Sequence, residues 1–152
     1  MTLLRSIVVL GLASCSAAPA IAEGIAEFRV NSATLLSKSQ ARVDFTWKYA
    51  NRNRLALGKG VRFFVFKGSA PGYNNAQTAI NGGTVTEIGR LDMTQGGGKH
   101  AFSFDLAKSG VAPGETCSLV GYWSNTHRWG CDPSRPGGVF VIPNAVGQTT
   151  MP

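Results

Sequence analysis

Ala41-Arg42-Val43-Asp44-Phe45-Thr46-Trp47-Lys48-Tyr49 is the stretch that decides the fold. Ala41, Val43, Phe45, Trp47 and Tyr49 are apolar or aromatic, and the residues between them, Arg42, Asp44, Thr46 and Lys48, are polar. A period of two sends side chains alternately to opposite faces of an extended chain, so this stretch predicts a strand with one face on a core and one in water. Shorter runs of the same kind recur on either side. Residues 26–30 set Ala26, Phe28 and Val30 against Glu27 and Arg29, and His100, Phe102, Phe104 and Leu106 alternate cleanly. Residues 61–66 are apolar on both faces after Arg62, which predicts a central strand. Residues 84–94 alternate more weakly and change phase near Gly89, as a β-bulge would make them do. Residues 116–123 and 139–142 complete the set, and no stretch sustains a helical period.

The totals agree. In 152 residues, 43% hydrophobic and 15% charged, there is enough apolar material for one core-bearing domain rather than a disordered chain. The 19 Gly and 7 Pro fall between short apolar runs, as in a protein of many strands and turns. No repeat or linker divides the region. About seven strands at this spacing predict an all-β fold, an antiparallel β-sandwich of two packed sheets over residues 23–143. After Pro143 the pattern stops, so residues 144–152 are expected to form a flexible C-terminal tail.

The first 22 residues read as a signal peptide. Arg5 supplies the positive start, residues 7–13 an apolar run too short to span a bilayer, and Ala18-Pro19-Ala20 and Ala20-Ile21-Ala22 both fit small-x-small cleavage sites. Leu12-Ala13-Ser14-Cys15 resembles the lipobox of bacterial lipoproteins, which makes acylation of Cys15 the alternative to plain secretion. Either route predicts an exported protein, periplasmic or secreted, or else lipid-anchored to the outer membrane. Cys117 and Cys131 then remain in an oxidising compartment and are expected to pair as a disulfide. Such a bond requires a hairpin turning near residues 124–126, with Cys117 facing Cys131, Leu119 facing Trp129 and Val120 facing Arg128. A zinc site is poorly supplied, because the two sulfurs and His127 lack both Cys-x-x-Cys spacing and a fourth ligand.

The run Val111-Ala112-Pro113-Gly114-Glu115-Thr116-Cys117, within residues 106–120, resembles the approach to the sixth strand of fibronectin type III and related immunoglobulin-like domains. Residues 43–47, with their inward aromatic, resemble the second strand of the same domains. The resemblance implies an immunoglobulin-like, fibronectin III-like sandwich. Cys117 stands where those domains often carry a corner tyrosine, so the hydroxyl-to-backbone bond of that corner is missing.

Catalytic chemistry is scarce. No Gly-x-Ser-x-Gly elbow, His-Glu-x-x-His pair or phosphate loop occurs, and His100 falls on an inward strand face, where a buried or rim imidazole is the ordinary role. Gly96-Gly97-Gly98 reads as a hairpin turn. No cofactor is implied, and a small secreted enzyme ranks third among the readings. The net charge of +7 is uneven: Lys38, Arg42, Lys48, Arg52, Arg54, Lys59, Arg62 and Lys67 face Asp44 alone, so residues 38–67 carry as much net charge as the whole chain. In immunoglobulin-like order, the connection holding Arg52 and Arg54 shares an end with the 124–126 hairpin tip. That gathers Arg52, Arg54, Tyr122, Trp123, Asn125, His127 and Arg128 into a candidate binding surface for a protein or an anionic envelope glycan. Export removes the usual nucleic-acid partner, and a membrane enters only through the lipid-anchor alternative. The expected function is a non-catalytic binding or adhesion module of the bacterial periplasm or cell surface. The runner-up is a periplasmic assembly factor or anti-aggregation chaperone acting through a strand edge, with residues 61–66 between Lys59 and Lys67 as that strand. The long connection 68–83 is a second functional candidate, or else a disordered loop.

Overall fold

The computed structural model describes residues 25–49, 61–69, 71–91, 97–124, 129–131 and 138–152. In chain order these form β1 (Ile25–Leu35), β2 (Gln40–Tyr49), β3 (Val61–Lys67), α1 (Tyr73–Asn81), β4 (Glu87–Leu91), β5 (Gly97–Asp105), β6 (Thr116–Ser124), β7 (Trp129–Cys131), β8 (Val139–Val141) and β9 (Thr149–Thr150). One sheet has the order β5-β2-β1-β9; the other has β4-β3-β6-β7, with β8 also paired to β6. Every pairing is antiparallel. The chain crosses between sheets after β2, after β4, after β5 and after β8; the order β5-β2-β1 against β4-β3-β6-β7 is that of an immunoglobulin-like, fibronectin III-like sandwich.

The strict alternation of β2 is what fixes the first sheet. It pairs with β5 over nine successive positions without a shift, from Gln40 opposite Asp105 to Lys48 opposite Gly97. A one-residue slip would turn every core side chain of β2 into water, so the register is strongly specified. Val43, Phe45 and Trp47 are fully buried. Phe45 meets Phe63 of the other sheet at 4.9 Å between ring centroids, and Phe102 lies 5.5 Å from both. A Cβ on Gly89 would fall 2.3 Å from the Phe102 ring, so β4 approaches that ring as only a glycine can. The phase change expected near Gly89 is present: Phe63 stands opposite Gly89 and Phe64 opposite Glu87, leaving Ile88 as the extra residue of a bulge.

Four expectations need correction. The connection 68–83 contains the helix α1. Its buried apolar residues are Ala76 and Ile80, four residues apart, and it packs these on Phe64, Val120 and Tyr122 of the second sheet. Nine residues with two buried apolar side chains are too short a run for a helical period to stand out. Gly97 and Gly98 are strand residues opposite Lys48 and Trp47, not the tip of a hairpin, because β4 and β5 belong to different sheets. The segment expected to be a flexible tail is tied to β1: Thr149 and Thr150 pair with Thr34 and Ala33, and the amides of Leu35 and Gly147 complete backbone bonds to Gln148 and Leu35. Finally, β3 lies between β4 and β6, so it has no free edge for strand addition.

The cysteines do not meet either. Cys131 stands opposite Tyr122 and Trp129 opposite Ser124, whereas Cys117 stands opposite Phe140 of β8 and is a free, buried thiol. Along a strand, Tyr122 is about 17 Å from Cys117 at about 3.3 Å per residue, beyond the roughly 7 Å that a disulfide spans between Cα atoms. Cys117 packs on the core between the sheets, and Tyr122 faces α1. Burial, with Glu115 nearby, pushes the Cys117 thiol up to about 12, leaving it protonated and unreactive at neutral pH. The missing tyrosine corner is replaced one residue on: the Ser118 hydroxyl donates to the Gly68 carbonyl at 2.7 Å, and Gly114 and Ile142 add backbone bonds.

Candidate binding end

Strand ends converge at one end of the sandwich. Tyr49 closes β2 opposite Ile25, Lys48 faces Gly97 at the start of β5, and Val61 opens β3 opposite both Leu91 and Trp123. Ser124 and Trp129, which flank residues 125–128, pair with each other at that same end. The pairing of Val61 with Trp123 therefore brings the flank of the Arg52 and Arg54 connection to the flank of the β6–β7 connection. Arg52, Arg54, Asn125, His127 and Arg128 themselves lie outside the described residues, as do the signal segment with Cys15 and the side chains of Trp123 and Cys131.

Tyr122 is no part of a surface. It is 1% exposed, it meets Phe64 edge-to-face at 6.5 Å, and its hydroxyl donates to Asn81 Oδ1 at 3.1 Å. Val120 and Tyr122 of β6 face α1, and the sequence pattern alone does not say that a helix covers that face.

The described basic residues of the 38–67 stretch are dispersed by the fold. Lys38 is exposed in the β1–β2 turn, at the opposite end from Val61. Arg42 pairs with Asp44 at 2.8 Å on the open face of the first sheet. Arg62 bonds Glu87 at 2.6 Å while its guanidinium lies 5.0 Å over the Phe64 ring. Burial works to raise the Glu87 carboxyl, but hydrogen bonds from Arg62 and Arg90 outweigh it and hold the group below its ordinary range. Lys67 pairs with Glu115, and a hydrogen bond between the two raises the lysine and lowers the carboxyl. These partners neutralise three of the eight charges, Arg42, Arg62 and Lys67, and Lys38 lies at the other end, which leaves Lys48, Arg52, Arg54 and Lys59 of that stretch.

Just inside the converging end are two side-chain nitrogens without a hydrogen-bond partner, Trp47 Nε1 and His100 Nε2, both buried. Trp47 stands directly across the sheet from Gly98, and His100 is two residues further along the same strand on the same face. The indole and imidazole centroids are 6.3 Å apart, and a Cβ on Gly98 would lie 3.9 Å from His100 Nε2. Gly98 itself is exposed and holds φ 134°, a conformation that L side chains rarely adopt. Alternation alone puts Trp47 and His100 on the inward face; that a glycine stands across from Trp47 follows only from the β2–β5 register. Among the described residues, no group of three or more His, Cys, Asp or Glu side chains is placed to hold a metal ion. No described helix is long and apolar enough to cross a membrane.

No protein-family model and no curated protein matches the chain. Among solved structures it is similar to the sensor domain of the anti-sigma factor RsgI4 in Pseudobacteroides cellulosolvens, with 10% sequence identity and a TM-score of 0.41 over 80% of this chain and 78% of that one.

Proposed function

We propose that the domain is a non-catalytic, exported binding module of the bacterial periplasm or cell surface, and that its converging end recognises an anionic envelope polymer. The observation that supports this reading is the pairing of Val61 with Trp123, which sets the flank of the connection bearing Arg52 and Arg54 next to the flank of the β6–β7 connection bearing His127 and Arg128. Guanidinium groups on adjacent loops of a rigid sandwich suit a polyanion, and loops at the end of a sandwich are where such scaffolds place recognition. The signal-like first 22 residues support the compartment. The competing reading through a strand edge loses its strand, because β3 is paired on both sides.

The test is titration of the purified domain with a soluble polyuronate at low and high salt. Binding should weaken as salt rises, and Arg52→Ala with Arg54→Ala should lower affinity and flatten that dependence while leaving the melting temperature unchanged. Normal low-salt binding by the double variant would reduce the basic end to a solvated face.

A further inference from the structure

β5 forms one border of the first sheet, and no described strand lies on its outer side. An exposed strand edge is a template for pairing, and the other edges of this sandwich are blunted in ways that β5 is not. β9 is two residues long, β7 and β8 are three each, and β4 is five with a bulge at Ile88. The part of β1 that β9 leaves uncovered is broken by register shifts between Ile25 and Glu27 and between Val30 and Ser32. β5 runs nine residues, and its register against β2 has no shift. The Leu106 amide donates to the Ser39 carbonyl at 2.9 Å, in line with the β2–β5 ladder, so the even residues of β5 point their backbone groups at β2. The amides and carbonyls of Lys99, Ala101 and Ser103, with the Asp105 amide, therefore point away from it.

We propose that this edge pairs with the same edge of a second copy, antiparallel and centred on Phe102, joining the two first sheets into one. The charges choose the register. Lys99 and Asp105 are the formal charges of β5, and both lie on its outer face. Two-fold pairing about Phe102 sets Lys99 opposite the partner's Asp105 at each end of the contact. Pairing about Lys99 or about Asp105 would set like charges against each other, and pairing about Ala101 would leave Lys99 opposite the partner's Ser103. On the inner face the two Phe102 rings then meet at a close pair of the ladder, covering a ring that each protomer leaves half-buried. Asp105 keeps its own turn while doing this: one oxygen accepts the Lys108 amide at 2.9 Å, and an ionised carboxylate accepts more than one bond. A single strand edge is a small interface, so the dimer is weak, with a dissociation constant above about 1 µM. It needs neither Arg52 nor Arg54 and stands apart from the polymer reading.

The experiment joins sedimentation equilibrium to amide exchange by NMR, both on the full domain, with melting temperatures alongside. The wild type should show a reversible monomer–dimer equilibrium. The amides of Lys99, Ala101, Ser103 and Asp105 should exchange more slowly as concentration rises. Lys99→Glu sets an acid opposite the partner's Asp105 at both ends and should weaken the dimer about 10- to 100-fold. Asp105→Lys should do the same with the opposite sign of charge. Mixing these two variants restores opposite charges throughout and should return a dimer close to wild type in affinity. Asp105→Asn keeps an acceptor for the Lys108 amide and stands in for Asp105→Lys should that variant fail to fold; its mixture with Lys99→Glu should dimerise more tightly than Lys99→Glu alone. A wild type that stays monomeric to about 1 mM overturns the dimer. So does a dimer indifferent to Lys99→Glu, or one that mixing folded variants does not restore, since its contact then lies elsewhere or in another register. Assemblies larger than a dimer would mean that β5 pairs head-to-tail with a different edge, which also overturns the two-fold contact.

Discussion

The outer face of the first sheet carries Arg42, Asp44, Thr46 and Ser103, whereas the outer face of the second carries Phe64, Val120 and Tyr122 beneath α1. Both sheets turn their inner faces to one shared core, yet among the described residues only the second buries its back as well. The first sheet is thus a half-solvated antiparallel surface, and the second is the middle layer between a sheet and a helix. The difference teaches how to read their sequences. A strand with one wet face must alternate, as β2 does, while a strand covered on both sides has no reason to, and Val61-Arg62-Phe63-Phe64-Val65-Phe66 does not. Arg62, the polar residue in that run, is kept there by Glu87 and by the Phe64 ring.

The sharpest way to break the comparison is to delete a side chain that only the second sheet would bury. Tyr122→Ala should cost about 3–5 kcal/mol in denaturant unfolding, because it empties the space beneath α1 and removes the bond to Asn81. A loss below about 1 kcal/mol would mean that the helix does not cover this face. Next in size are two changes on the shared core. Gly89→Ala drives a methyl into the Phe102 ring, and Cys117→Ser puts a hydroxyl in a fully buried site; each should cost about 1–3 kcal/mol. Native Cys117 should also resist alkylation until the protein is unfolded, which a Cys117–Cys131 bond would forbid even then.

A smaller effect is expected at Glu87. Its carboxyl is held below the ordinary range in the folded state, so the stability it contributes is present above the unfolded value and is lost as pH falls through the folded one. Glu87→Gln should therefore lower stability at neutral pH by no more than about 1 kcal/mol and make the acid limb of the stability curve shallower. Equal slopes in both proteins would sink this assignment. The smallest change belongs to the open face: Ser103→Ala should move stability by no more than about 0.5 kcal/mol, and a larger loss would reveal a cover on the first sheet.

Sequence by itself determined the strands whose periodicity is set by one wet face and one dry one. The alternation of β2 and β5, the continuous run of β3 and the phase change at Gly89 are local signals, because each side chain reports its own face. From these followed the class of fold, while the shared end of the β2–β3 and β6–β7 connections was what the resemblance to immunoglobulin-like domains implied. Only the tertiary structure decided what had no local periodicity. The helix α1 is nine residues long, offers Ala76 and Ile80 as its buried face, and exists where it does because Phe64, Val120 and Tyr122 need covering. Thr149 and Thr150 form a strand because the edge of β1 supplies their hydrogen-bond partners. The same holds for the cysteines, whose count and expected compartment suggest a bond that the register of β6 against β7 and β8 denies. Trp47, Gly98 and His100 are ordinary residues in the sequence, and the pairing of β2 with β5 makes them neighbours. Periodicity records how a residue meets water or core, whereas partners distant along the chain are chosen by packing and register.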